Sequence, residues 1–192
     1  MGLDAQQMEE TAGKTQLKEY FLNTPNLLTI LRILLIPIFI ILYLEPTSNR
    51  TFAAALVFAF AAITDWLDGY LARSRGQITK LGKLLDPIAD KLLTITGLVL
   101  LVGHQKIAVW IVILLISREV VITGLRAIAA SSGTIIQADF LGKQKMLFLT
   151  AAIMLLILDY NGIGTALIWM ALIFSLFSGI QYFVRFWKKI AL

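Results

Sequence analysis

Six apolar stretches alternate with short polar links along this chain, and each comes close to the ~20 residues that cross a hydrocarbon core as a helix. They run roughly from Pro25 to Leu44, Thr51 to Ala72, Leu84 to Val102, Ile107 to Ala129, Phe140 to Leu158 and Ile163 to Phe186. The links are Glu45 to Arg50, Ser74 to Lys83, Gly103 to Lys106, Ser131 to Asp139 and Asp159 to Gly162. Apolar runs of this length predict an all-α integral membrane protein with six transmembrane helices. Pro25, after Asn23 and Thr24, suits a helix start, where proline's missing amide hydrogen costs nothing. Pro87 reads as part of the opening turn of the third span, and Pro37 as a kink in the first. Met1 to Asn23 is polar and has no apolar core of the signal-peptide kind. It reads as an N-terminal cytoplasmic or interfacial segment in which Leu17, Tyr20, Phe21 and Leu22 lay a short helix on the membrane surface. Residues 24–192 then form the six-helix domain.

Composition agrees with the pattern. Of 192 residues, 58% are hydrophobic and 15% charged, too little polar surface to cover a soluble domain. The absence of cysteine excludes disulfides and thiolate metal sites, and the single histidine, His104, has no partner for a ligand cluster and reads as an interfacial loop residue. A net charge of +5 raises nucleic acid as a partner, but the basic residues sit at the ends of apolar segments, which points to anionic headgroups and topology instead. An even number of spans places both termini on one side. Of the 17 Lys and Arg, only Arg50 and Lys106 then fall on the opposite side. The positive-inside rule puts the termini in the cytoplasm, as expected for a multi-pass protein of the cell membrane. Trp66, Trp110, Trp169 and Trp187 lie near span ends and read as interfacial anchors.

The stretch from Asp65 to Asp90, DWLDGYLARSRGQITKLGKLLDPIAD, breaks this apolar pattern. Asp65 and Asp68 are three apart and Asp86 and Asp90 four apart, so each pair lies on one face of a helix. The first pair ends the second span and the second pair opens the third, which places both at one depth, at the cytoplasmic boundary of the hydrocarbon. Four carboxylates crowded there repel one another and lose hydration, a cost that divalent cations would cancel. The plainer alternative is ion pairing with Arg73, Arg75, Lys80, Lys83 and Lys91. Four acids at this spacing, flanked by Gly69 and Gly82, favour a metal site.

Asp65-x-x-Asp68-Gly69-x-x-Ala72-Arg73, eight further residues, and then Gly82-x-x-x-Asp86-x-x-x-Asp90 resembles the signature of the CDP-alcohol phosphotransferase family. The family's six-helix architecture matches the span count, so the resemblance covers nearly everything beyond Asn23. It implies that Asp65, Asp68 and Asp86 are metal ligands, and that Asp90 contributes to the metal site and acts as general base towards the attacking hydroxyl. It further implies a nucleotide site lined by Gly69, Ala72, Arg73 and Gly82, with Asn26, Thr29 and Arg32 of the first span on the other wall. Hard oxygen ligands favour magnesium or manganese, as a pair of ions.

The fourth span carries Arg118 and Arg126, eight residues apart, which at ~100° per residue lets both guanidinium groups face one cavity. Guanidinium pairs suit phosphate. The fifth span opens Leu141-Gly142-Lys143-Gln144-Lys145, adding cations at a helix start that itself favours anions. A second anion site implies an acceptor with its own phosphate. Ser117-Arg118-Glu119, four residues, and Gly124-Leu125-Arg126 resembles bacterial members of the family whose acceptor is sn-glycerol 3-phosphate. The resemblance thus implies transfer of a phosphatidyl group from CDP-diacylglycerol to glycerol 3-phosphate, with CMP released. Glu119 and Asp139 read as structural, Asp139 as the cap of the fifth helix.

Two rivals stand beside this reading. Within the family the acceptor is another alcohol such as inositol phosphate. In a different class, the acids serve a divalent-cation transporter, which would call for acids near the midplane, broken helices and often an internal repeat, and neither these placements nor a repeat is found. Small residues along the third and fourth spans suit a homodimer.

Overall fold

Because an α-helix satisfies all its backbone polar groups internally, a segment in lipid extends as helix until the chain reaches water. The computed structural model describes residues 24–75, 80–133 and 140–191, with side chains described except at 24–26, 66, 68–75, 80–87 and 190–191. Six helices run through them: α1 (Thr24–Leu44), α2 (Ser48–Arg75), α3 (Lys80–Gly103), α4 (Val109–Ser131), α5 (Phe140–Ile157) and α6 (Asn161–Phe186), followed by a π-helical turn over Trp187–Ala191. No strand occurs among the described residues. The expected spans match these helices to within a few residues at each end. α3 differs most, beginning at Lys80, a turn ahead of its apolar part, so Pro87 lies inside the helix and not in its opening turn. The N-terminal segment and Asp139 lie outside the described residues.

α1, α5 and α6 are long and apolar enough to cross a membrane. The other three helices are of comparable length but carry charges within them: Asp65 and Asp68 in α2, Asp86, Asp90 and Lys91 in α3, and Arg118, Glu119 and Arg126 in α4. The protein is an all-α membrane protein.

α1 packs on α2 and α3, α5 on α6, and α4 on α6. The core joins both groups through Phe39, Tyr43, Phe58, Leu98, Ile153 and Leu156. Outward faces carry Leu34, Ile41, Phe52, Phe60, Val120, Leu147, Ile173 and Ile180, all exposed, as a lipid solvent allows. Small residues set the closest approaches: a Cβ on Gly164 of α6 would lie 2.6 Å from Leu156 Cγ of α5, and one on Gly97 of α3 would lie 2.9 Å from Ile153 Cγ2.

The end of the bundle remote from Asp65 and Asp90 is closed by a polar clamp. Lys106, in the α3–α4 link, donates to the Leu156 carbonyl and to Asp159 Oδ1, both at 2.8 Å, with its ammonium 5.7 Å from the centre of the Tyr43 ring. Burial works against this charge, but the hydrogen bond to Asp159 and the neighbouring Tyr43 outweigh it, and the Lys106 pKa lies above its usual value. His104 is bonded through Nε2 to the Tyr43 carbonyl at 2.8 Å and stands edge-on to the Tyr43 ring, a link residue as expected. Trp110 and Trp169 meet each other edge-on, ring centres 5.6 Å apart.

Candidate active site at the polar ends of the helices

Asp65 and Asp90 lie on neighbouring helices, α2 and α3, which contact each other and α1. Both side chains are half-buried, and Asp90 is within electrostatic reach of Asp65, Arg32, Lys145 and Glu119. Asp65 Oδ1 accepts from Arg32 Nη1 at 2.6 Å. Arg32 is fully buried, and Thr29, one turn earlier on the same face of α1, is 2% exposed. The first span therefore does reach the acidic region, but Arg32 meets it as the ion-pair partner of an expected metal ligand. Asp68, Gly69, Ala72 and Arg73 lie on α2 and Gly82 and Asp86 on α3, and their side chains, like that of Asn26 on α1, are outside those described. Among the described residues no three acids and histidines are grouped as a ligand set.

Beside Asp90 a cavity of about 410 Å³ opens between α3, α4, α5 and α6. Its charged lining comprises Asp90 and Lys91 from α3, Arg118, Glu119 and Arg126 from α4, and Lys143 and Lys145 from α5. All four cations read from the sequence as phosphate ligands thus border one space together with the expected base. Five cations against two carboxylates give it a positive balance, suited to an anion. A small apolar recess of about 30 Å³, lined in part by Ile95, Leu98, Leu115 and Leu149, lies beside it and shares Asp90 and Glu119 with it.

Within the cavity the cations differ in their freedom. Lys145, only 4% exposed, is paired with Glu119 Oε2, which also takes Arg118 Nη1 at 3.3 Å. A buried ammonium needs such a partner, because an uncompensated charge would cost several kcal/mol, on the order of 3–5. Glu119, read as structural, holds the network together, and Lys91 donates to Thr123, whose hydroxyl donates to the Glu119 carbonyl at 2.7 Å. Arg126 is exposed and lies 5.7 Å from the centre of the Tyr182 ring.

The largest contribution that the spacing of charged residues did not reveal comes from α6. Arg118 donates through Nε to the Ser175 carbonyl at 3.0 Å and through Nη2 to Ser178 Oγ at 2.7 Å. Gly179 admits the arginine: a Cβ there would stand 3.4 Å from Arg118 Cγ and Nε. Ser175, Ser178, Gly179 and Tyr182 follow the i, i+3, i+4, i+7 spacing of one helix face. A polar stripe of this kind in an otherwise apolar span is the signal by which the sequence could have shown it.

Carboxylates of two adjoining helices set beside a cationic cavity, all within a lipid-facing helical bundle, define a membrane-embedded enzyme. The chain belongs to the CDP-alcohol phosphatidyltransferase family, whose family model matches residues 22–177. It is 37% identical over 187 residues to the CDP-diacylglycerol–glycerol-3-phosphate 3-phosphatidyltransferase of Bacillus subtilis, an alignment covering 88% of this chain and 97% of that one. The proteins of the same name from Haemophilus influenzae, 40% identical over 83% of this chain and 91% of theirs, and from Escherichia coli K12, 37% identical over 83% and 92%, agree with it.

Proposed function

We propose that the protein transfers the phosphatidyl group of CDP-diacylglycerol to sn-glycerol 3-phosphate, giving phosphatidylglycerol phosphate and CMP, at the cytoplasmic face of the cell membrane. The observation that carries this reading is the single cavity in which Asp90 meets Lys91, Arg118, Arg126, Lys143 and Lys145. An acid positioned to take a proton adjoins a cluster suited to a second phosphate, so the acceptor is a phosphorylated alcohol and not a free one. The names of the relatives support the same donor and acceptor.

Asp90 would accept the proton of the acceptor hydroxyl while that oxygen attacks the lipid-bearing phosphorus and the bond to CMP breaks. Arg118 and Arg126 would hold the acceptor's phosphate so that its hydroxyl is aligned for direct displacement, with Lys143 at the rim and Lys145 acting through Glu119. Gly69, Ala72, Arg73 and Gly82, with Asn26 and Thr29, are assigned to the cytidine nucleotide, and Arg32 orients Asp65. Asp65, Asp68, Asp86 and Asp90 would hold divalent metal, Mg2+ or Mn2+ and as two ions. The hard carboxylate oxygens of Asp65 and Asp90 on adjoining helices fit such ions. Bound metal supplies charge neutralisation at the diphosphate. The donor enters laterally from the bilayer, and the acceptor comes from the cytosol.

The test is turnover by purified protein in detergent with CDP-diacylglycerol and competing acceptors. CMP release that depends on glycerol 3-phosphate and stops with EDTA is the expected result. Preference for glycerol, or for inositol phosphate over glycerol 3-phosphate, would overturn the assignment.

A further inference from the structure

We propose that α6 is the frame that aims the acceptor-binding arginines, and that Ser178 is a positioning residue for Arg118. The inference rests on the assignment of Arg118 to the acceptor's phosphate. A guanidinium has five N–H donors in a rigid plane. In Arg118 one is taken by the Ser175 carbonyl through Nε, one by Ser178 Oγ through Nη2, and one by Glu119 Oε2 through Nη1. Two N–H groups are left, one on each terminal nitrogen. The side edge of the guanidinium is therefore committed to α6, and an anion can be met only by what the two tips have left.

Ser178 can fill this role because its one hydrogen is used elsewhere. The hydroxyl donates to the Ser175 carbonyl at 3.1 Å, so the oxygen turns its lone pairs to the arginine. Ser178 is buried, and the arginine side chain is 13% exposed, so neither group has bulk water as an easy substitute. One turn further along the same face, the Tyr182 ring lies beside Arg126. Both arginines of α4 are thus set from one stripe of α6, although α6 contributes no charge to the cavity lining. A phosphate bound by two arginines depends on their relative direction, which a flexible side chain does not keep by itself.

Steady-state kinetics of purified full-length variants provide the test. Ser178→Ala should raise the KM for glycerol 3-phosphate roughly tenfold, the usual weight of a hydrogen bond to a charged group, with kcat within about twofold and the KM for CDP-diacylglycerol unchanged. Ser178→Thr keeps the hydroxyl and should restore the acceptor KM. Gly179→Ala leaves both serines in place but crowds the arginine, and should raise the same KM alone. Tyr182→Leu should act likewise, and Tyr182→Phe, which keeps the ring, should not. An unchanged acceptor KM in Ser178→Ala, while Arg118→Ala raises it, overturns the role of α6 and leaves the phosphate assignment standing. An unchanged KM in Arg118→Ala itself overturns the phosphate assignment. A fall in kcat with both KM values altered in Ser178→Ala, or no restoration by Thr, marks a general packing role and also overturns the proposal.

Discussion

Two carboxylates of the site have unlike surroundings, and that difference separates their roles. Asp65 is tied to a buried arginine, whereas Asp90 borders the cavity where an acceptor would sit. Asp90→Asn keeps the shape and removes the proposed proton acceptor, so turnover should fall by at least about 100-fold, the usual weight of general base catalysis, with the melting temperature nearly unchanged. Radiolabelled product formation and a thermal melt on the same preparation check both halves. Glu119 shows the opposite behaviour. Glu119→Gln keeps an acceptor oxygen but removes the negative charge that holds buried Lys145 and Arg118, so stability should fall, on the order of 3 kcal/mol, and the acceptor KM should rise with it. A variant as stable as the parent would remove Glu119 from the centre of this network. At this scale the sequence is partly legible. Spacing alone names Asp65, Asp90, Arg118 and Arg126, because helix periodicity places residues on faces. Which cation meets which acid is not legible, since Arg32–Asp65 and Lys145–Glu119 each join separate helices, and only packing brings them together.

The helices themselves can be read almost to their ends, because the thickness of hydrocarbon fixes their length and the backbone has no other way to satisfy itself in lipid. α3 is the exception. Its polar first turn at Lys80 looks like a link by hydropathy, yet helix geometry persists into the interface, where water and charge are tolerated. The α3–α4 and α5–α6 links are also more ordered than their composition suggests. Gln105 and Asp159 occupy the left-handed region, with φ of 57° and 65°, and turn the chain so that Lys106 can reach the carbonyl at the end of α5. Lys106→Ala would leave that carbonyl without the ammonium, at a cost of about 1–3 kcal/mol. Most of this should come from the carbonyl and little from Asp159, which is 68% exposed. Since the Lys106 pKa is raised on folding, its share of stability is whole below the ordinary value of 10.5 and is lost as pH climbs through the folded value. Thermal melts against pH should therefore fall more steeply on the alkaline side in the parent than in Lys106→Ala.

For the whole molecule, charge and chemistry share one end. In the expected six-span topology, the cavity and Asp65 and Asp90 would lie towards the side assigned fifteen of the seventeen Lys and Arg, and Lys106 towards the other. The absence of cysteine makes this orientation directly measurable. In intact cells a membrane-impermeant maleimide should label Ser48→Cys, at the first residue of α2, and should reach Ser132→Cys, after α4, only once the membrane is opened. The reverse labelling would turn the site to the outside, away from nucleotide-activated lipid. The fully buried Arg32 bears on how such a chain enters the membrane. Its counter-charge, Asp65, belongs to the next helix, so during synthesis α1 arrives at the bilayer before its ion-pair partner has been made. Releasing a helix whose guanidinium has not yet met the Asp65 carboxylate into lipid is costly, so the insertion machinery has reason to retain α1 until α2 follows, and the pair would enter as a hairpin whose two arms neutralise each other on the way in.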